Sequence, residues 1–379
     1  MKIAVNTRLL LKGKLDGIGW FALETLRRIT AAHPEHQFYF IFDRKYDKDF
    51  IFSKNVTPIV AYPQARHPFL YYIWFEFSVK RVLKAIGADV FVSPDGYLSL
   101  SSAIPSVAVI HDLNFEYYPK DLPLLDRAYY RYFFPKFAAH AQRIATVSEF
   151  SKSNLVDLYN VPADKVDVIY NGANTRYVPV SVQEQELTRA KYTDGNSYFL
   201  FIGSLHPRKN LVNLFQAFDL FKSTTDNSYK LLIVGRKMWW TGSIREAFEN
   251  MIHREDVIFA DYLPSEDLSK VIGSALALTY VSYFEGFGIP IIEGMYCDVP
   301  VITANVTAMP EIGGDAVLQV DPFSIESIAE GMRKIAQDPV FSKALVEKGR
   351  ERRTLFTWDK TAARFWDSIE KVLNEGRGR

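Results

Sequence analysis

The segment Glu285-Gly286-Phe287-Gly288-Ile289-Pro290-Ile291-Ile292-Glu293 sets two carboxylates around a pair of glycines. Glutamate is common enough that such a spacing carries little by itself. Its context carries more. The run follows the apolar segment Ala275 to Val281, and Pro290 marks the first turn of a helix, so Glu285 falls in a loop at a strand's carboxyl end and Glu293 in the helix beyond it. Backbone N–H groups at such a helix start are ready partners for an anion. A carboxylate beside amide donors suits a ligand that carries both hydroxyls and phosphates; for Glu293 the competing role is a plain helix cap or dipole partner. A second loop, Phe201-Ile202-Gly203-Ser204-Leu205-His206-Pro207-Arg208-Lys209-Asn210, places adjacent cations between a strand and a helix. Arg208 could grip a phosphate by forked hydrogen bonds and Lys209 as a point charge, where an isolated pair would simply be solvated. Gly17-Ile18-Gly19-Trp20-Phe21-Ala22 matches the G-x-G-x-x-A form of a dinucleotide fingerprint, with Asp43 as the acid about twenty residues on. The fingerprint should follow its strand at once, whereas Arg8 to Asp16 intervene; what remains is an anion contact at a helix start, or a structural turn. His111, at the end of an apolar segment, reads by itself as a packing or hydrogen-bonding histidine.

These residues need elements to hold them. The 379-residue chain is 48% hydrophobic and 23% charged, which excludes disordered, collagen-like and coiled-coil classes and predicts two domains. With 45 Lys and Arg against 44 Asp and Glu, the net charge of +1 gives no global field for nucleic acid, so an anion must be met locally. A single cysteine, Cys297, excludes a disulfide framework and a cysteine-built zinc site and fits a reducing compartment. Strand-length apolar segments alternate with amphipathic helical ones, which predicts an α/β class with parallel sheets covered by helices. The first series is Lys2 to Asn6, Gln37 to Phe42, Val56 to Ala61, Asp89 to Ser93, Ser106 to His111, Arg143 to Val147 and Val166 to Ile169. The second is Tyr198 to Gly203, Lys230 to Val234, Val257 to Phe259, Ala275 to Val281 and Val299 to Thr303. The polar stretch from Val180 to Asn196 marks the boundary, so residues 1–180 form one domain and 181–356 another. The helix in 357–379, with Ala362, Phe365, Trp366, Ile369, Val372 and Leu373 on one face, should dock back on the first domain, and the tail from Glu375 to Arg379 should fray. Ligands of open parallel sheets bind beyond the strands' carboxyl ends, so the chemistry is expected in a cleft between the halves.

Met1 to Arg8 reads as a strand and not as a secretory leader, and the uncharged runs are too short to span a bilayer, which predicts a cytoplasmic protein. A peripheral position on the inner face of the membrane is compatible with Phe69–Lys84. This segment forms a helix with Tyr72, Phe75, Val79, Val82, Leu83 and Ile86 on its core face, Leu70, Trp74 and Phe77 on a second apolar stripe, and Lys80, Arg81 and Lys84 at the far end. Apolar side chains beside basic ones are what an anionic membrane surface recognises; a helix buried on two sides is the alternative.

Several of these motifs occur together in one known family. Gly17 and Gly19, His111-Asp112-Leu113, Thr146 to Lys152, Tyr170-Asn171-Gly172, Pro207 to Asn210, and Glu285 to Glu293 follow the order seen in retaining GT-B glycosyltransferases of the family-4 type, over nearly the whole chain. The likeness is strongest to the bacterial mannosyltransferase branch of polysaccharide assembly. The resemblance implies two Rossmann-like domains facing across a cleft and transfer of a hexose from an NDP-sugar, GDP-mannose or a UDP-hexose, to a saccharide or lipid-linked acceptor, with no cofactor and no metal. By position it implies His111 at the donor sugar, Arg208 and Lys209 at the diphosphate, Glu285 at the sugar hydroxyls and Glu293 at the ribose. Gly286, Phe287, Gly288 and Ile289 would present amides to the donor, and Gly17 and Gly19 to the diphosphate. Retention would proceed by front-face attack, with the leaving phosphate taking the acceptor's proton. Ser204 stands where many relatives carry a clamp arginine, leaving Arg208 to substitute, and Tyr296-Cys297-Asp298 replaces a commoner small-residue turn.

Asp47-Lys48-Asp49 matches the D-x-D of metal-dependent glycosyltransferases, but it lies in a charged loop with no strand end to aim it; His33 and His36 flank a turn without further ligands. A sugar-nucleotide epimerase, a nicotinamide oxidoreductase and a sugar-nucleotide-binding protein without turnover are the competing classes.

Overall fold

A computed structural model describes residues 1–225, 228–236, 240 and 242–377. The chain divides into two compact units: Met1–Gly172 together with the chain from Trp358 onward, and Ala173–Thr357.

The first unit is built on a seven-stranded parallel sheet of β1 (Lys2–Asn6), β2 (Gln37–Phe42), β3 (Val56–Val60), β4 (Val90–Ser93), β5 (Ser106–Val109), β6 (Arg143–Thr146) and β7 (Val166–Val168) in the order β3-β2-β1-β4-β5-β6-β7. The second has six described parallel strands, β8 (Tyr198–Ile202), β9 (Lys230–Val234), β10 (Val257–Phe259), β11 (Ala277–Tyr280), β12 (Val301–Ala304) and β13 (Leu318–Val320), in the order β10-β9-β8-β11-β12-β13. Central strands such as β4, β5, β8 and β11 are buried along their whole length, as expected where helices cover both faces of a sheet. In each sheet the strand order reverses beside the first strand of its unit, at β1/β4 and at β8/β11. At those points the flanking loops diverge to opposite faces and open a crevice beyond the strand ends.

Two apolar layers flank the first sheet. One packs Phe21, Leu26 and Ile29 of the Gly17–Ala32 helix with Phe365, Trp366, Ile369, Val372 and Leu373 of the Trp358–Arg377 helix; Phe21 and Phe365 lie 5.5 Å apart. The whole face expected of this last helix is buried, and Arg28 adds an ion pair to Asp359 at 2.6 Å. The helix runs to Arg377, and Gly378 and Arg379 of the expected fraying tail lie outside the described residues. The other layer is aromatic, with Trp74, Phe75, Tyr97, Phe134 and Phe137 at its centre.

Three sequence expectations differ from the structure. The change of unit falls at Gly172/Ala173 instead of after residue 180, because 173–180 packs on the second unit: Ser269 Oγ donates to the Arg176 carbonyl at 2.9 Å, and Val180 lies against Gly273 so closely that a Cβ there would meet it at 2.8 Å. β13 was not expected, because three residues of a half-exposed edge strand show no period. The Pro68–Ile86 helix has its middle turns, Trp74–Val79, in π geometry. The wider turn shifts the buried stripe, so that Trp74 and Phe75 both enter the core while Tyr72 turns to solvent. Trp74 therefore does not belong to an outward stripe: it is fully buried, and its indole N–H donates to the Ala61 carbonyl at 2.6 Å.

Removing the ring at Phe365 should cost about 3–5 kcal/mol through the cavity left between the two helices and the sheet. Denaturant unfolding of Phe365→Ala, followed by tryptophan fluorescence, checks this.

Candidate active site

Each switch point carries a polar cluster. In the second unit, β8 is followed by Gly203, and a single 3₁₀ turn, Pro207–Lys209, precedes the Leu211–Lys222 helix. The His206 ring caps this turn, accepting from the Arg208 amide at 3.3 Å, and Asn210 closes it at φ +63°. The turn is then tied to the loop after β11: Tyr283 N–H donates to the Arg208 carbonyl at 3.0 Å, an Arg208 guanidinium N–H donates to the Phe284 carbonyl at 3.2 Å, and Asn210 Nδ2 donates to the Val281 carbonyl at 3.0 Å. These bonds bring residues some 75 positions apart into one cluster. Glu285 Oε1 lies 2.6 Å from Arg208 and 2.7 Å from Lys209, and Lys209 Nζ also donates to the Tyr280 hydroxyl and rests over the Tyr280 ring.

Burial opposes the Glu285 charge, but Arg208 and Lys209 outweigh it and hold the carboxyl at about 2. The three groups therefore carry a net +1, a local field suited to an anion in a chain that has no global one. Tyr280 is fully buried, which together with the adjacent Glu285 charge raises its hydroxyl pKa and keeps it a neutral donor and acceptor. The Ile289–Tyr296 helix starts at Gly288, with φ +96° and no side-chain cap, and Gly286, Phe287 and Gly288 are buried beside it, so amide groups and the helix dipole point to the same end of the sheet. Glu293 lies one turn further on. Burial raises its carboxyl to about 7 although Tyr177 hydrogen-bonds to it.

In the first unit His111 follows β5. Its Nε2 lies 2.8 Å from the Pro94 carbonyl, and its ring meets Phe21 edge-on at 5.0 Å. A carbonyl only accepts, so Nε2 carries the proton and Nδ1 is left as an acceptor. Burial lowers the imidazole pKa and keeps it neutral. The glycine loop behaves differently from expectation. The Gly19 amide donates to the Asp16 carboxylate at 2.8 Å, and a Cβ at Gly19 would meet Leu15 and the Leu9 carbonyl at 3.0 and 3.2 Å. Gly19 thus serves a close packing contact and an N-cap, and an anion would have to displace Asp16; Gly17 is exposed with open space around it. Asp43, the acid of the dinucleotide reading, is buried and occupied by Arg44 at 2.7 Å and the Ala65 amide at 2.9 Å, which leaves it no ribose to hold.

The model for the family described as Glycosyl transferases group 1 matches residues 183–352, and that described as Glycosyltransferase Family 4 matches 15–177. The chain belongs to these glycosyltransferases. It is 28% identical to O-antigen chain mannosyltransferase B of Escherichia coli, over 95% of this chain and 97% of that protein. It is 26% identical to O-antigen chain mannosyltransferase RfbU of Salmonella typhimurium, over 75% and 76%. Sucrose-phosphate synthase from Thermosynechococcus elongatus shares the fold at a TM-score of 0.78, with 17% identity and 99% coverage of both chains. The two-sheet architecture is that of a GT-B glycosyltransferase.

Within this glycosyltransferase the sequence-derived residues gather as follows. Arg208, Lys209, Glu285, Gly286, Phe287, Gly288, Ile289 and Glu293 cluster at the carboxyl end of the second sheet; Gly17, Gly19 and His111 belong to the first unit. Tyr280 and Tyr177 were missed. Tyr280 reads as the last apolar residue of a strand, and Tyr177 sits in a stretch with no period; only the fold brings them to Lys209 and Glu293. Ser204 is exposed, and Arg208 fills the cationic position beside Glu285. In the Tyr296-Cys297-Asp298 turn, Asp298 pairs with Arg350 at 2.7 Å and Arg353 at 3.1 Å, while the Tyr296 hydroxyl donates to the Arg353 carbonyl at 3.2 Å. Asp47 and Asp49 both pair with Lys12, at 3.1 and 2.7 Å, and His33 stacks on Trp366 at 3.6 Å.

The raised Glu293 carboxyl gives a pH prediction. The folded state retains a proton that the unfolded chain releases between about pH 4.5 and 7, so this group's contribution to stability is complete below 4.5 and is lost as pH rises through 7. Glu293→Gln should be neutral near pH 4.5 and stabilise by about 3 kcal/mol at pH 8. Thermal unfolding of both proteins across that range measures it.

Proposed function

We propose that this glycosyltransferase is a retaining, metal-independent mannosyltransferase of surface polysaccharide synthesis, moving a hexose from an NDP-sugar to a saccharide or lipid-linked acceptor. GDP-mannose is the first donor to test and UDP-hexoses the second. The observation that carries the reading is the shared Glu285 oxygen between Arg208 and Lys209, set beside the start of the Ile289–Tyr296 helix at the β8/β11 switch point. The mannosyl assignment draws on the names of the relatives.

Breaking the bond from the anomeric carbon to the nucleoside diphosphate builds negative charge on the leaving phosphate. Arg208, Lys209 and the amides of Gly286, Phe287, Gly288 and Ile289 stabilise that charge, each fixed donor by about 3 kcal/mol. Cationic side chains can thus do the work that a divalent ion does elsewhere. Glu285, ionised at every physiological pH, keeps lone pairs for the sugar hydroxyls. Glu293 accepts from the ribose, and the Nδ1 atom of His111 accepts from a hydroxyl of the donor sugar. The acceptor hydroxyl attacks the same face that the phosphate leaves, and the phosphate takes its proton.

The acceptor site would be served from the cytoplasmic membrane face. On the Pro68–Ile86 helix Phe69 and Phe77 are 67% and 62% exposed, beside exposed Lys80, Arg81 and Lys84. The Leu124–His140 helix, which carries exposed Leu124, Leu125 and Tyr132, meets this helix at the Tyr72–Phe133 contact. Apolar rings beside cations fit an anionic bilayer. Among the described residues no helix is long and apolar enough to cross one.

Lys209→Ala should lower turnover by ~100-fold or more, read as release of nucleoside diphosphate from GDP-mannose with acceptor at a temperature where circular dichroism shows the variant folded, since removing one cation of a buried cluster also costs stability; full activity of the folded variant rejects the site. A screen of GDP-, UDP- and ADP-sugars at 100 times the dissociation constant should reveal the donor as a stabilisation of about 2.7 kcal/mol. Phe77→Glu should abolish co-sedimentation with phosphatidylglycerol vesicles while the protein stays folded; wild type that fails to sediment rejects the membrane contact.

A further inference from the structure

The switch point of the first sheet holds a charged cluster that the reaction, as derived so far, does not use. Asp95, in the turn after β4, is buried, and both its carboxylate oxygens are taken. Oδ1 accepts from Asn6 Nδ2 at 2.7 Å, Ser93 Oγ at 3.0 Å and the Tyr97 amide at 3.4 Å; Oδ2 accepts from Arg8 Nε at 2.6 Å. Arg8 follows β1, and its side chain is only 8% exposed. Its guanidinium lies 4.5 Å from the Tyr97 ring centre and 5.0 Å from that of Tyr71, and it reaches the Ala65 carbonyl at 3.4 Å. The pair thus joins the ends of β1 and β4 inside an aromatic wall, and it fixes the Ser93–Tyr97 turn at three points.

Burying such a pair brings little net stability, since a well-packed apolar pair of the same volume holds a fold as well or better. What the pair does supply is geometry. Pro94, whose carbonyl accepts the His111 Nε2 proton at 2.8 Å, lies between Ser93 and Asp95 in the turn the pair immobilises. That carbonyl is the contact that decides the His111 tautomer.

We infer that Arg8 and Asp95 are positioning residues for His111, holding the Pro94 carbonyl so that the ring presents Nδ1 as a hydrogen-bond acceptor to the reacting sugar. The inference rests on the reading of His111 given above. Phe21, edge-on to the ring, limits its rotation from the other side but offers no hydrogen bond to select a tautomer. The carbonyl is therefore the selective contact, and its place is set by Asp95.

The test uses the paired substitution Arg8→Met with Asp95→Asn, which removes both charges together and leaves neither ion buried alone, and Asp95→Asn singly as a second variant. The ¹⁵N shifts of the His111 ring should report a single Nε2–H tautomer in the wild type and a mixture in the paired variant. Turnover should fall about 100-fold, as expected for a reacting group displaced by an ångström, with KM for the donor within about twofold. In a His111→Ala background the pair should have no further effect on turnover, because residues that act through one another are not additive. An unchanged His111 tautomer in a folded variant, or an equal loss of turnover with and without His111, overturns the positioning role. Full turnover in His111→Ala alone, with the tautomer shift present, overturns instead the assignment of His111 to the reaction. If neither variant folds, Arg8→Lys, which keeps the charge but cannot make both the Nε bond to Asp95 and the bond to the Ala65 carbonyl, should shift the ¹⁵N signals at wild-type stability, and unchanged signals there overturn the proposal.

Discussion

One carboxylate oxygen shared by two cations organises the second unit. Glu285 Oε1 draws Arg208 and Lys209 together from a turn that sequence places far away, and the arrangement is self-consistent only because each charge is already met. A buried glutamate without those partners would take up a proton, and two adjacent cations without the glutamate would repel each other into solvent. Together they leave one positive charge at the sheet's carboxyl end, next to the start of the Ile289–Tyr296 helix, whose dipole has the same sign there. That residue of charge is a local field suited to an anion.

The first unit applies the same constraint differently. Its sheet also reverses direction beside its first strand, and the crevice there is again crossed by an ion pair, Arg8 with Asp95. Here the pair is enclosed by tyrosines and faces the protein interior, so it orders a turn in place of meeting a ligand. The nearby reactive candidate is a neutral histidine whose proton is committed to backbone. One unit thus offers charge, and the other a shaped, uncharged hydrogen-bonding edge.

The outward face of the Pro68–Ile86 helix shows how a small backbone departure redistributes exposed and buried side chains. A π turn takes one more residue than an α turn, and the stripe of side chains on either side of it is rotated accordingly. Trp74 enters the aromatic core and binds the Ala61 carbonyl, while Phe69, Tyr72 and Phe77 remain in solvent beside the basic end.

Much of this was legible in the sequence, for a physical reason: central parallel strands such as β4, β5, β8 and β11 are buried on both faces and so mostly apolar, and twelve of the thirteen described strands stand out as short runs between helical segments. Glycines and prolines at the helix starts, and the Arg-Lys and Glu pairs beside them, betray the loops that carry the chemistry, because local backbone geometry constrains which residues can stand there. The apolar face of the last helix is likewise a local periodic property, whereas the bonds that pin it, Arg28 to Asp359 and Lys371 to Asp167, are not. What the sequence could not contain is which distant groups meet. That Lys209 leans on Tyr280, that Tyr177 reaches Glu293, that Asp16 takes the Gly19 amide, and that Arg8 reaches Asp95 all depend on loops brought together by strand order. Only the folded sheets decide those pairings, because hydrogen bonds and charges act over a few ångströms in space and are indifferent to separation along the chain.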